Sequence, residues 1–560
     1  MSKVFALPVA LIATIALSVG LAACGDDEEG GGTAEGGSIT ISQTSQPDFL
    51  DPALSYTLNG WEPMWLVYTP LLTYRHEEGA AGSELIPGLA EAMPEVSNGG
   101  KTYELTLREG LEYSDGTPVK ASDFEHAIKR VLNLESGGSP YFEVIEGAED
   151  YLSNGNAKAD ISGIETNDKT GEITIDLTGP EAAFSNVLAM NFAGLVPGDT
   201  PFKNMTGNPA PGAGSYSITK SVPNREFVLT KNPNFEEVDG VPEAQIETVT
   251  TKIVPSLQQQ TQDVIENELD FMQDPPAADL KAEVIDRFGP DGSEEQRYKE
   301  NETLSTYYFF MNSKVAPFDD PKVREAVNIG LDKPAIARLF AGELATGCSF
   351  LPPDMPGYTE QIDVAECPFG DPNEAPDLDR AKQLIEEAGA DGAEVTVWGN
   401  TDDPTPKVTQ AYADQLNKMG FDAEPKILDG GVYFQTIGNE KTEAQTGFTN
   451  WFADFPHPLN FVFLVDGNTI QPTNNQNFSN TDDPQINKEI EALEKESDLE
   501  SATDRWEELN DYIVEGAFNV PYGHRKLATF TSDRIDFEDC AVFHPLFQTD
   551  YSRFCLKSGE

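Results

Sequence analysis

Hydrophobic and polar residues alternate regularly before residue 110. Tyr103, Leu105 and Leu107 are separated by polar residues, which predicts a half-buried β-strand. The Asn-Gly-Gly run at 98–100 predicts a turn just before that strand.

The pattern then becomes helical. Ser122 followed three residues later by Glu125 predicts a capping box at the start of a helix. Asp320 before Pro321 predicts a second helix start, because proline is favoured at the first helical position. Apolar residues repeat three or four apart in both helices: Phe124, Ile128 and Val131 in the first, Val323 and Val327 in the second.

Beyond residue 370 the two patterns alternate along the chain. The predicted elements follow the order helix, strand, helix, strand, which indicates a parallel-type sheet covered by helices. The chain is therefore predicted to be α/β in more than one lobe. The predicted helices are 378–388, 408–419, 489–496 and 505–514, and the predicted strands are 394–398 and 421–428.

Length and charge extend this picture. A chain of 560 residues exceeds what one hydrophobic core usually supports, so two or three lobes are expected. The 96 acidic and 37 basic side chains give a formal net charge of -59, which disfavours binding to nucleic-acid phosphates. We therefore expect no nucleic-acid partner. The acidity otherwise describes a well-solvated surface.

An apolar segment begins the chain. Lys3 precedes an apolar stretch of secretory length, and small residues stand just before Cys24. Residues 1–23 therefore resemble a bacterial lipoprotein signal, which implies that Cys24 is acylated and starts the mature chain. An uncleaved membrane anchor is the alternative. Residues 24–37, glycine-rich and acidic, are predicted to be a flexible tether that holds the body at the outer face of the cytoplasmic membrane, in the cell envelope.

Four of the five cysteines remain once Cys24 is assigned to a lipid. They form two local pairs, and an even number in an oxidising compartment predicts two disulfides. The alternative is four free buried thiols. Neither spacing fits a zinc or redox motif. The predicted bridges are Cys348–Cys367 and Cys540–Cys555.

Motifs for catalysis are missing from the sequence. It contains no Gly-x-Ser-x-Gly, Ser-x-x-Lys or His-Glu-x-x-His. The histidines are isolated from one another, and Gly100-Lys101-Thr102 is no phosphate loop because Glu95 stands where that motif needs glycine. We therefore expect a binding protein without cofactor or metal rather than an enzyme.

Several short motifs follow the order and spacing of one family. Residues 50–52 read Leu-Asp-Pro, and 99–119 contain Gly-Gly-Lys-Thr-Tyr-Glu-Leu and Tyr-Ser-Asp-Gly-Thr-Pro-Val. Residues 211–216, 232–235 and 317–326 add a Gly-Ala-Gly-Ser-Tyr element, an Asn-Pro-Asn-Phe element and a Pro-Phe-Asp-Asp-Pro helix start. Together they resemble the family 5 extracellular solute-binding proteins, the oligopeptide, dipeptide and nickel receptors of ABC importers.

The resemblance implies a type II periplasmic-binding-protein-like α/β fold, with two lobes around a cleft and an extra domain. It also implies a monomeric receptor whose partners are ABC permease subunits. The chain would cross between the lobes near Leu304-Ser305 and Val520-Pro521, and closure about those strands would enclose the ligand. The implied bounds are 38–68, 205–302 and 522–560 for lobe I, 69–204 for the extra domain and 303–521 for lobe II.

Ligand residues are implied only where motifs match. In the family's peptide receptors, an aspartate in a Trp-x-Ala-Asp-aromatic segment binds the peptide ammonium, and residues 451–455 match that segment. Asp454 is therefore expected to take this role; a capping aspartate beside Pro456 is the alternative. The other implied cleft residues are Trp451, Tyr307, Tyr308, Trp398, Asn400, Tyr56, Thr57 and Asn59, and core packing is the alternative for the aromatic ones.

Two features depart from the peptide receptors. Phe452 and Ser305 stand where some members have a bridged cysteine pair, and no basic residue for a peptide carboxylate precedes Trp451. A short peptide is thus the preferred ligand, with a nickel chelate, an amine-bearing opine or a sugar as alternatives. An exported hydrolase or peptidase, and a sensory or chaperone-like lipoprotein of the same fold, are the alternative functions.

Overall fold

The structure is a computed structural model of the chain. It describes residues 36–134, 136–360, 362, 367–496, 499 and 501–557. The predicted signal segment 1–23, the lipidation residue Cys24 and the tether up to residue 35 lie outside the described residues. In the parts of the chain that are described, no helix combines the length and apolarity needed to cross a bilayer.

Strands and helices alternate along most of the chain. The strands are β1 Ser38–Gln43, β2 Leu72–Tyr74, β3 Leu85–Pro87, β4 Glu95–Ser97, β5 Thr102–Thr106, β6 Ile164–Thr166, β7 Glu172–Asp176, β8 Tyr216–Val222, β9 Glu226–Lys231, β10 Thr248–Ile253, β11 Phe271–Met272, β12 Tyr298–Glu302, β13 Ser305–Met311, β14 Leu344–Thr346, β15 Glu394–Asn400, β16 Asp422–Leu428, β17 Thr446–Phe452, β18 Asn519–Thr531, β19 Phe543–His544 and β20 Gln548–Thr549. The described α-helices are α1 Leu58–Val67, α2 Gly79–Gly82, α3 Ala121–Asn133, α4 Ser139–Phe142, α5 Ala148–Asn154, α6 Phe184–Val187, α7 Leu257–Ile265, α8 Lys281–Phe288, α9 Pro321–Gly330, α10 Lys333–Ala337, α11 Leu378–Ala388, α12 Thr405–Met419, α13 Gly430–Ile437, α14 Leu459–Val462, α15 Pro484–Leu493, α16 Thr503–Glu515 and α17 Phe537–Cys540.

A mixed sheet forms the centre of the molecule. Its strands follow the order β16-β15-β17-β13-β18-β11-β1-β10-β9-β8, and β12 and β14 also pair with β18. Every residue of β13 is buried, and Phe309 stacks on Tyr412 of α12 with ring centroids 3.7 Å apart. The main core therefore lies between this sheet and the helices packed against it.

Strand β18 joins the two halves of this sheet. Its residues from Asn519 to Gly523 pair with β13, whereas those from Lys526 to Phe530 pair with β12. Strands β12 and β13 are separated by residues 303–304, which overlap the first predicted crossing at Leu304-Ser305. On β18 the change of partner falls C-terminal to the second predicted crossing at Val520-Pro521. This arrangement fits the predicted α/β fold of two lobes around a cleft.

The predicted alternation beyond residue 370 is confirmed. Strands β15 and β16 pair in parallel from Glu394 with Asp422 onward, and α12 connects them. Helix α11 spans the predicted 378–388, and α16 contains the predicted 505–514. The helix predicted at 489–496 is observed earlier in the chain, as α15 from Pro484 to Leu493. It starts earlier because Asp483 caps its N-terminus.

The alternating segment before residue 110 forms β5 in a separate antiparallel sheet, of order β4-β5-β7-β6. The predicted Ser122–Glu125 capping box is wrong. Helix α3 starts at Ala121, and Asp123 accepts a hydrogen bond from the Lys120 N–H at 2.9 Å. Ser122 instead donates to Asp168, since that carboxylate reaches both its N–H and its hydroxyl.

A buried ion pair explains the Leu-Asp-Pro motif. The Arg130 guanidinium on α3 donates to both carboxylate oxygens of Asp51, at 3.0 and 2.8 Å. Asp51 also accepts the N–H groups of Ala53 and Met205. The motif therefore ties the segment before α1 to α3.

Both predicted cysteine pairs are bridged. Cys348 and Cys367 have Cα atoms 5.9 Å apart, and Cys540 and Cys555 have Cα atoms 5.7 Å apart. Four free thiols, the alternative, are therefore excluded in this structure.

Candidate ligand-binding cavity

A cavity of about 780 Å³ lies where the segment around α1 faces the C-terminal end of β17. This volume falls within the range of small-molecule sites. Five predicted ligand residues line it: Asp454, Trp451, Tyr308, Tyr56 and Thr57.

Asp454 follows β17 by two residues and is only 8% exposed. Its Oδ2 accepts a hydrogen bond from the Tyr141 hydroxyl at 2.6 Å and one from the Asn460 amide at 3.2 Å. Neither bond comes from a backbone N–H. The carboxylate therefore acts neither as a helix cap nor as a turn cap among the described residues, which argues against that alternative.

The electrostatics of Asp454 are set by its burial. Burial raises the pKa of Asp454, and hydrogen bonds from Tyr141, Asn460 and Tyr56 oppose that rise. No ion pair among the described residues includes Asp454. A buried carboxylate without a cationic partner is costly, and this cost is why the pKa of Asp454 is raised.

Asn460 in α14 holds this end of the cavity together. Its Oδ1 accepts hydrogen bonds from the Asp454 N–H at 2.8 Å and from the Trp451 indole at 3.1 Å, while its Nδ2 donates to the carboxylate. Trp451 also packs edge-on against Phe463, with ring centroids 5.2 Å apart. The amide thus fixes the position of both predicted ligand residues.

Tyr56 and Thr57 form the opposing side, just before α1. The Asp48 carboxylate accepts the Tyr56 N–H at 2.7 Å and the Thr57 hydroxyl at 2.9 Å. The Tyr56 ring stacks on Trp61, and its hydroxyl lies 3.0 Å from the Tyr141 hydroxyl. Burial and the nearby Asp454 charge raise the pKa of Tyr56, so its hydroxyl keeps its proton and can donate.

The other four predicted ligand residues lie outside the cavity lining. Tyr307 faces the side of β13 opposite to Tyr308, because side chains alternate along a strand, and it packs against Phe340. Trp398 lies beneath the Lys426 ammonium, 3.9 Å from its ring centroid. Asn400 accepts the Asp402 N–H, and Asn59 donates to Ser45.

Two site residues were missed by the sequence analysis. Tyr141 comes from α4, more than 300 positions from Asp454, and no motif marks it. Asn460 lies six residues after Asp454, close enough to have been considered as its partner. The cavity also includes Phe434 on α13 and Phe478, whose rings stack at 6.0 Å.

The register of β13 and β17 agrees with one predicted departure. Ser305 pairs with Phe452, the two positions compared with a cysteine bridge in some peptide receptors. Both disulfides found among the described residues lie elsewhere. The end of β17 is therefore fixed here by strand pairing and by Asn460.

A second depression, of about 1,160 Å³, lies beside β14 and β18. It is lined by Glu302, Asp354 and Arg338 among others, and contains none of the predicted ligand residues. The cavity at Asp454 is therefore the candidate site.

A large mixed sheet joined through β18 and a cavity with a buried carboxylate define a two-lobed solute-binding protein. Residues 84–472 match the family model described as bacterial extracellular solute-binding proteins, family 5 Middle. The chain belongs to this family. Family membership confirms the prediction of a binding protein rather than an enzyme.

Curated relatives resemble the chain over most of its length. It is 26% identical to the oligopeptide-binding protein OppA of Bacillus subtilis over 518 residues, which cover 89% of each chain. It is 28% identical to the dipeptide-binding protein of Escherichia coli over 403 residues, 68% of this chain and 70% of the relative.

Solved structures share the fold. The clavulanic acid biosynthesis oligopeptide binding protein 2 matches with a TM-score of 0.82 and 25% identity, covering 94% of this chain and 96% of that one. DppA from Helicobacter pylori, solved with the peptide STSA, matches with a TM-score of 0.71 and 19% identity, covering 94% of this chain and 99% of that one. The second likeness, at that identity, concerns the fold alone.

Proposed function

We propose that this protein is a lipid-anchored extracytoplasmic receptor that captures peptides, or similar amine-bearing small solutes, for an ABC importer. One observation carries the ligand assignment: the buried Asp454 carboxylate lines a 780 Å³ cavity and has no cationic partner among the described residues. A ligand ammonium would supply that charge and add charge-assisted hydrogen bonds.

Three parts of the chain meet beside the cavity. Tyr56 belongs to the proposed lobe I, Tyr141 to the extra domain and Asp454 to lobe II, with the bounds 38–68, 205–302 and 522–560, 69–204 and 303–521. Their hydroxyl and carboxylate groups form one hydrogen-bonded chain. Ligand binding would thus favour the closed state, which a permease can distinguish from the empty receptor.

The ligand assignment can be tested by calorimetry on ligand-stripped protein with a tripeptide pool. Asp454→Asn should weaken binding about ten- to a hundredfold, because a charge-assisted hydrogen bond contributes roughly 1.5–3 kcal/mol. Asp429→Asn is the matched control, since Asp429 caps α13 near the cavity and asparagine caps equally well. Unchanged affinity in Asp454→Asn would refute the assignment.

The anchor rests on the sequence around Cys24 and is tested separately. Metabolic labelling with palmitate should mark the wild type, and Cys24→Ala should abolish the label and release the protein from membranes. A labelled Cys24→Ala variant would contradict the proposed anchor.

A further inference from the structure

The cavity lining has a strongly asymmetric charge. Asp454 is the one carboxylate among the described residues that line it, and no lysine, arginine or histidine joins it there. The other polar lining groups are neutral hydroxyls and amides: Tyr56, Thr57, Tyr308, Thr449, Asn450, Gln435, Asn474, Asn475 and Gln476, together with the Trp451 indole.

Three of these amides are available to a ligand. Asn475 is committed to the fold, because its Nδ2 donates to the Asn477 carbonyl at 2.9 Å. The side chains of Gln435, Asn474 and Gln476 form no hydrogen bond with the described residues. Uncharged amides both donate and accept, so they match a ligand carbonyl, amide or hydroxyl.

A ligand carboxylate inside this cavity would meet a different environment. It would lose water without gaining a cationic partner, which is unfavourable. It would also share the site with the Asp454 charge and enter against the field of a chain whose formal net charge is -59. Both effects act in the same direction.

We propose that the cavity selects solutes that place one ammonium at Asp454 and only neutral groups elsewhere, so that a ligand carboxylate must be absent or project outside. This inference rests on the proposed function, since it takes the ammonium at Asp454 as given. It names the ligand class as solutes whose enclosed part carries one cation and no anion: amidated or otherwise C-terminally blocked short peptides, longer peptides whose carboxylate lies outside the cavity, or non-peptide amines.

The test uses one mixed tripeptide pool in three forms: free, C-terminally amidated and N-acetylated. Equal amounts compete for ligand-stripped wild-type protein, and the bound fraction is identified by mass spectrometry. The amidated form should be retained about tenfold over the free form, the ratio that corresponds to roughly 1.4 kcal/mol. N-acetylated peptides should not be retained. Free pentapeptides should bind more tightly than free tripeptides, because a longer peptide can place its carboxylate in solvent outside the cavity.

A charge variant makes the test specific to the cavity. Gln476→Lys places a cation in the lining and should raise retention of the free form relative to the amidated form. Gln383→Lys is the control, because Gln383 lies exposed on α11, where a lysine can pair with Glu387 as the glutamine does now.

The outcomes separate this inference from the proposed function. Free peptides that bind as tightly as amidated ones, while N-acetylated ones do not bind, would overturn the inference and leave the function standing. Retention of no form would overturn the peptide assignment in both proposals, and retention that is indifferent to N-acetylation would overturn the ammonium role of Asp454 on which both rest.

Discussion

Removing one partner of the buried Arg130–Asp51 ion pair should cost this protein several kcal/mol of stability. The two side chains are 1% and 0% exposed, and the guanidinium donates to both carboxylate oxygens. Arg130→Met keeps apolar volume but leaves Asp51 with the N–H groups of Ala53 and Met205 among the described residues. An uncompensated buried charge costs about 3–5 kcal/mol. We expect the free energy of unfolding to fall by about that amount.

Urea unfolding followed by tryptophan fluorescence and by circular dichroism measures this loss, and agreement between the two probes checks for a single transition. The double variant Arg130→Met/Asp51→Asn should recover part of the loss, because the amide removes the charge and its single oxygen still accepts one of the two backbone N–H groups. Arg505→Met is the control. Arg505 pairs with Glu489 at the surface, with side chains 40% and 35% exposed, so its loss should change stability by less than about 1 kcal/mol.

Two results would refute this reasoning. One is an Arg130→Met variant no less stable than Arg505→Met. The other is a double variant less stable than Arg130→Met alone, since that would show that the unpaired charge was not the source of the loss.

Two further predictions concern contacts between distant parts of the chain. Tyr141→Phe should weaken peptide binding several-fold in calorimetry while leaving the melting temperature nearly unchanged, because the Asp454 carboxylate loses the 2.6 Å hydroxyl donor; unaltered affinity would exclude a role for Tyr141. Burial and the charge of Glu181 raise the pKa of Glu494 to about 7 from a usual 4.5. The native state therefore binds this proton more tightly than the unfolded state, and Glu494 destabilises the native state as pH rises from 4.5 to 7. Glu494→Gln should therefore melt higher than wild type above pH 7 and equal it near pH 4.5, whereas a constant difference, or the same trend in exposed Glu508→Gln, would contradict this.

Local patterns predicted much of the fold because they report local chemistry. The α11 and α12 helices and strands β15 and β16 were found since each carries its own periodicity and its own terminating residues. The α3 start was misassigned because Ser122 and Asp123 can both cap, and Asp168, 46 residues away, engages Ser122. No sequence pattern near α3 predicts the contact between Ser122 and Asp168.

The sequence likewise predicted some residues of the candidate site correctly and others wrongly. A motif match correctly predicted Asp454 and Trp451 as cavity residues. Tyr56 and Thr57 were predicted from the position of their segment just before α1, and they also line the cavity. Family position also suggested Tyr307, but side chains alternate along β13 and Tyr307 points away from the cavity. The sequence could not decide which of Tyr307 and Tyr308 lines the cavity, because that depends on which face of β13 remains open to it.

The sequence by itself determined helices α11 and α12, strands β15 and β16, the two cysteine pairs, the family resemblance and the excess of acidic charge, because each depends on neighbouring residues or on residue counts. Only the tertiary structure decided that Asp454 is buried without a described cation, that Tyr141 reaches it from another part of the chain, and that the lining around it is neutral. Burial and the distance between remote side chains set the cost of a charge, and neither follows from a count of charges along the chain.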